Sequence, residues 1–153
     1  MKKITLLIYG ITTLLQTSFC SVQDRLNNGE SPFGIYSNNN TFLDSLYGKF
    51  YEGGIIFYLD TINGDALVAI ENDTITPDDT WGCNGINING AEGTLIGTGI
   101  QNTTDISWGC FNSAARTCAD LIFNGYTDWF LPSRDELVLM HDNLHLNGYG
   151  NFN

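Results

Sequence analysis

The stretch "EGGIIFYLDTINGDALVAI", residues 52–70, separates a sheet-containing fold from a helical one. Ile55, Ile56, Phe57, Tyr58 and Leu59 form an unbroken apolar run, β-branched and aromatic. It is short enough for a strand and suited to burial on both faces. Asn63-Gly64 is a strong tight-turn signal, because both residues tolerate positive φ. Residues 66–70, "ALVAI", then read as the return strand of an antiparallel hairpin.

Upstream, residues 22–26 suit a short helix, with Asn27, Asn28 and Gly29 ending it. Pro32 and the "SNNNT" run mark loop. Residues 21–47 are therefore expected to be a weakly packed N-terminal extension, and the domain proper to occupy residues 48–153.

Downstream, residues 71–107 are rich in Gly, Asn, Thr and Asp. A long irregular stretch inside a domain points to a functional loop, and Trp81 and Trp108 argue that it is ordered. One short strand is expected at 94–96. "NSAARTCADLIFNG", residues 112–125, reads as a helix capped by Asn112 or Ser113 and stopped by Asn124-Gly125. Ala114, Cys118 and Leu121, with Ala115 and Ile122, give it a small-residue face.

Trp129-Phe130-Leu131 reads as a short buried strand, and Pro132 ends it because it cannot donate to a sheet. Ser133 followed by Glu136 is a capping box, and Asp135 adds favourable charge at the helix start. Leu137, Met140 and Leu144 fall on one helical face. Local chemistry thus accounts for Pro132, Ser133 and Glu136 without a substrate, while Tyr126, Asp128 and Arg134 have no local explanation.

The ends and the bulk numbers bound the function. "MKKITLLIYGITTLLQTSFC", residues 1–20, has the basic start, apolar centre and small-residue end of a secretory signal peptide. Cleavage after Cys20 is expected. The rival is a lipoprotein anchored at Cys20, against which Phe19 argues. Both alternatives place the mature chain outside the cytoplasm: secreted, periplasmic or on the cell surface, with no transmembrane helix once the leader is removed.

The 153 residues suit one domain, and with 42% apolar and 15% charged residues it is globular. A net charge of -11 repels nucleic acid, anionic membranes and polyanionic sugars. Outside the leader only Arg25, Lys49, Arg116 and Arg134 could build a basic patch.

In an oxidising compartment cysteines pair. Cys110 and Cys118, close in sequence and flanking a helix start, are candidates for a bridge. Cys83–Cys110 is the other pairing weighed, and spacing alone does not choose. No paired C-x-x-C suggests zinc. His141 and His145 stand four apart on one helical side, but a zincin needs a further downstream ligand and few residues remain.

Two sets of residues carry binding chemistry. Trp81 and Trp108, with Asn84 and Asp105 nearby, could stack on sugar rings and bond their hydroxyls. Trp129 is assigned instead to the core. Asp73, Asp78 and Asp79, with Glu71, could hold calcium through carboxylate oxygens, though no Asp-x-Asp-x-Asp-Gly spacing is present. Otherwise no cofactor is expected. The cysteines lack a motif linking them to a basic partner, so nucleophilic catalysis is not indicated.

"YEGGIIFYLD", "WGC", "IGTG", "AARTCADLIFNGYTDWFLPSRDEL" and "LMHDNLH" occur in that order. With "RLNNGESPFGIYSNNN" and "DSLYGK" upstream, they closely resemble the Lcl C-terminal-like domain family of bacterial surface and secreted proteins. The resemblance covers about residues 22–152. It implies an α+β, C-type-lectin-like fold: two helices packed on a small twisted antiparallel sheet with long Gly/Asn-rich loops. It also implies closing strands that this chain, stopping at "GYGNFN", lacks.

The function so implied is a non-catalytic recognition or adhesion domain for an extracellular glycan or protein. The alternatives are a structural module of a larger surface protein, and an enzyme related to the formylglycine-generating fold.

Overall fold

The computed structural model describes residues 20–72, 80–83 and 85–152. Residues 1–19 of the expected leader, Asp73, Asp78, Asp79 and Asn84 lie outside that range. Four helical turns open it: α1 (Val22–Asn27), α2 (Pro32–Asn38), a 3-10 turn at Asn40–Phe42 and α3 (Leu43–Leu46). The strands β1 (Phe50–Tyr51), β2 (Gly54–Leu59) and β3 (Ala66–Ala69) form one antiparallel sheet in the order β1-β2-β3. Then come α4 (Gly99–Gly109), α5 (Ala114–Ala119), α6 (Arg134–Asn143) and a 3-10 turn at His145–Asn147. The fold is α+β, with six α-helices among the described residues rather than two.

The hairpin forms where expected, and β2 is buried on both faces. A bulge sets how it serves them. Ile56 pairs with Val68 and Tyr58 with Leu67, so Phe57 is the extra residue. Strict alternation would send Leu59 to the face of Ile55 and Phe57. After the bulge, Leu59 returns instead to the face of Ile56, where Leu26, Ile35 and Leu46 also pack. Ile55 and Phe57 take the other face with Ala69 and Leu144. The unmatched Phe57 carbonyl accepts the Asn143 side-chain amide of α6 at 2.9 Å, which anchors that helix on the second face. Each fully buried aliphatic side chain here stabilises the fold by about 1.5–3 kcal/mol.

Residues 21–47 are not weakly packed. Leu26, Ile35 and Leu46 come from the three N-terminal helices and cover β2. Ser21 and Asp24 close a capping box on α1, with the Asp24 amide 3.1 Å from the Ser21 hydroxyl. Pro32 starts a helix instead of marking a loop: it sits at the first position of α2, where its missing N–H costs nothing, and Ser31 caps the turn.

The C-terminal half departs further from the sequence reading. Residues 94–96 are not a strand. Their carbonyls meet the start of α6: Thr94 O accepts Asp135 N–H and Leu95 O accepts the Ser133 hydroxyl, both at 3.0 Å. α5 stops at Ala119, short of Asn124-Gly125. That dipeptide instead forms a two-residue turn, with φ of 51° and 86°, between Phe123 and Tyr126, which exchange two 3.0 Å backbone bonds.

Trp129 to Leu131 is no strand either, because the partner of Leu131 is a side chain: its N–H donates to the Thr103 hydroxyl at 2.9 Å. Trp129 is half-buried and meets Phe123 edge-on at 5.9 Å between centroids. On α6, Leu137 is 56% exposed, while Met140 and Leu139 face the sheet together with Leu144, which caps the helix.

Candidate binding site

The site lies beside a disulfide that joins Cys83 to Cys110. Cys110 ends α4 and is buried, and the chain carrying Cys83 reaches it there. The pairing of Cys110 with Cys118 is thereby corrected. Cys118 lies on α5, after the turn that Ser113 caps, while Cys83 comes within 5.5 Å of Cys110 between Cα atoms. The sequence held a signal for this: Trp-Gly-Cys occurs twice, at 81–83 and 108–110, and the bridge joins the two copies.

Polar ties shape the loop around the bridge. Thr80 accepts the Ala114 N–H through its carbonyl at 2.8 Å, and its hydroxyl donates to Gly82 O at 2.8 Å. Buried Asn102 clamps Gly93 from both sides, donating to its carbonyl at 2.6 Å and accepting its N–H at 3.1 Å. Gly90, at φ +93°, turns the chain directly over the Asp105 carboxylate.

Between these ties lies an open cleft of about 530 Å³. Trp81, Cys83, Ile86, Ile88, Glu92 and Ile106 are among its walls. That volume lies within the range of small-ligand sites. Trp81 is 64% exposed, so an aromatic face is open to a ligand. Glu92 is the one charged side chain lining the cleft among the described residues, and one of its carboxylate oxygens accepts Gly90 N–H at 2.9 Å.

The other residues singled out from the sequence are placed differently. Trp108 is on helix α4 and not in a loop; it is 80% exposed and outside the cleft walls. The 5.5 Å Cα separation of the bridged cysteines and the short spacers keep the two tryptophan Cα atoms no more than about 20 Å apart. Asp105 accepts the Gln101 amide at 2.9 Å and lies so close under Gly90 that a Cβ there would meet its carboxylate, and it does not line the cleft.

Ser133 and Glu136 form the expected capping box, and Glu136 is fully buried. Its two oxygens accept Ser133 N–H and Gly97 N–H, each at 2.7 Å. Among the described residues no three His, Cys, Asp or Glu side chains gather to hold a metal ion. His141 and His145 stack on each other at 5.3 Å, and His141 Nδ1 meets Asp142 at 2.9 Å.

Arg134 pairs with Asp135 at 2.8 Å, and Tyr126 packs over Gly53, where a Cβ would lie 2.7 Å from its ring. Nothing in the structure explains Asp128. Among the described residues no helix is long and apolar enough to cross a membrane. No protein-family model, no curated protein and no solved structure matches this chain.

Proposed function

We propose that the chain is an exported, non-catalytic recognition or adhesion domain that binds an extracellular glycan in the cleft beside the Cys83–Cys110 bridge. The observation that carries this reading is Trp81, 64% exposed on a cleft wall that it shares with Ile86, Ile88, Cys83 of the bridge and the polar Asn87 and Glu92. An open indole face beside polar groups suits a sugar ring, whose axial C–H face is apolar and whose rim is hydroxylated. The repeated Trp-Gly-Cys units add a second exposed indole, Trp108, that a long oligosaccharide could reach. The C-type-lectin-like relationship implied by the Lcl C-terminal-like resemblance agrees with binding in place of catalysis.

A second reading has its own support. Leu95, Ile100, Leu137 and Val138 are each more than half exposed, which suits a module of a larger surface protein whose face another part covers.

Glycan-array binding of the refolded, oxidised chain decides between them. Trp81→Ala should lower binding at least tenfold and Trp108→Ala should lower it less, with the effect of Trp108 growing with oligosaccharide length. Unchanged binding in the double variant removes both residues from the site. Absence of binding by the unaltered chain leaves the module reading.

A further inference from the structure

We infer that the cleft selects a cationic sugar, a glycan carrying free amino groups, over neutral and anionic ones. This rests on the glycan-binding reading above and adds the charge of the ligand to it. A protonated amine needs a carboxylate to pair with and gains from an aromatic face. The cleft offers one of each. Glu92 is its charged wall residue, and Gly90 N–H holds one carboxylate oxygen, which orients the side chain and leaves the other oxygen for a ligand. Trp81 supplies the exposed indole.

Among the described residues no cation lines the cleft, and this matters as much. Arg25 is engaged by Glu30, Arg116 by Asp120 and Arg134 by Asp135. None of these, nor Lys49, is among the residues lining the cleft. A sulfated or uronic-acid polymer would therefore meet Glu92 and a net charge of -11 with no compensating group. An oligomer of glucosamine with its amines free meets attraction from both local and global charge.

Titration calorimetry of the oxidised full chain tests this at about pH 5.5, above the ordinary carboxylate range and acidic enough to keep the amines of the amino sugar protonated. The probes are a β-1,4-linked glucosamine pentamer, its fully N-acetylated counterpart and a heparin-derived pentasaccharide. The free-amine pentamer should bind about tenfold more tightly than the acetylated one, as one exposed ion pair plus one cation–π contact provides. Heparin pentasaccharide should show no binding.

Glu92→Gln, which keeps an acceptor for Gly90 N–H, should bring the affinities for the free and acetylated pentamers together and so abolish the preference. Asp65→Asn, which removes the same charge in the β2–β3 turn, should preserve it. Trp81→Ala should weaken both sugars. Equal affinity for the free and acetylated pentamers overturns the charge preference while the glycan reading stands. A preference that survives Glu92→Gln, or that Asp65→Asn removes as well, overturns the assignment to the cleft. Failure of both pentamers to bind, or indifference of both to Trp81→Ala, overturns the glycan reading itself.

Discussion

Residues 20–72 bury Leu26, Ile35, Leu46, Ile55, Ile56, Phe57, Leu59 and Ala69, on two faces of one strand. In residues 80–119 the buried apolar set is Ile106, Cys110 and Ala115. The exposed side chains run the other way. Phe50 and Ile62 are the large apolar residues left open in the first region; in the second Trp81, Ile86, Leu95, Ile96, Ile100, Trp108 and Phe111 are open. The first region is held by hydrophobic burial. The second is held by a covalent bridge and by side chains that bond to backbone: Asn102 to Gly93, Thr80 to Gly82, Ser113 to Cys110. A segment fixed by point contacts can leave most of its large apolar side chains open to solvent, whereas a segment fixed by burial must commit most of its own to the core.

The largest expected effect breaks this contrast at its covalent point. The bridge spans 27 residues, and removing such a constraint from the unfolded chain costs roughly 3.5 kcal/mol in the chain-entropy account. Reduction, or Cys83→Ser with Cys110→Ser, should release amides of residues 80–119 to fast hydrogen exchange, while those of β2 and β3 stay protected. Equal loss of protection in both regions would mean that they unfold as one unit and that the contrast is only one of appearance.

A smaller effect sharpens the contrast at the join. Glu136 starts α6, which packs on the sheet, and its carboxylate reaches back to Gly97, just before α4. Glu136→Ala would strand the buried Ser133 N–H, at about 1–3 kcal/mol, and remove the part-buried bond from the exposed Gly97 N–H. Its total is expected to be about 2 kcal/mol, and that of Glu136→Gln, which keeps one good acceptor, near half as much. Urea unfolding measures both. A cost under about 0.5 kcal/mol for the alanine variant, the scale of ordinary surface changes, would show that water replaces the lost bonds and that the two regions are not coupled here.

What could be read from sequence follows the same division. The hairpin, the first helix and the Ser133–Glu136 cap were legible because burial and capping leave periodic or fixed-spacing patterns. α4 was not: its inward positions are Asn102, Thr103, Ile106 and Ser107, so no apolar stripe marks it as a helix. Asn124-Gly125 suits a helix stop and a two-residue hairpin turn equally, and only the pairing of Phe123 with Tyr126 selects the second. Spacing leaves Cys110 with two candidate partners, and the structure joins it to Cys83, the one that ends the other Trp-Gly-Cys unit. Of the site residues, Trp81 falls in the cleft, Trp108 and Asp105 fall outside its walls, and Glu92, exposed and without a motif, carried no sequence signal at all.

The smallest effect concerns the turn that closes the well-packed region. Asp60 accepts Ile62 N–H at 2.8 Å, Asn63 N–H at 3.0 Å and the Asn63 side-chain amide at 2.8 Å. The Asn63 backbone bond, then that of Ile62, then the Asn63 side chain hold its pKa below the ordinary 3.8. A carboxyl depressed on folding stabilises the fold fully above its unfolded value, and the contribution fades as pH falls through the folded value. Asp60→Asn keeps a neutral acceptor but no charge. The urea midpoint of the unaltered chain should therefore exceed that of the variant by a constant margin from neutrality down to the carboxylate range, and the margin should shrink below it. The side chain is exposed, so the margin should be small. It should also be local: protection factors of the 60–66 amides, with the intrinsic pH dependence of exchange divided out, should fall on acidification through the carboxylate range while those of α4 and α5 do not. A margin that widened on acidification would reverse the sign and remove Asp60 as the group responsible.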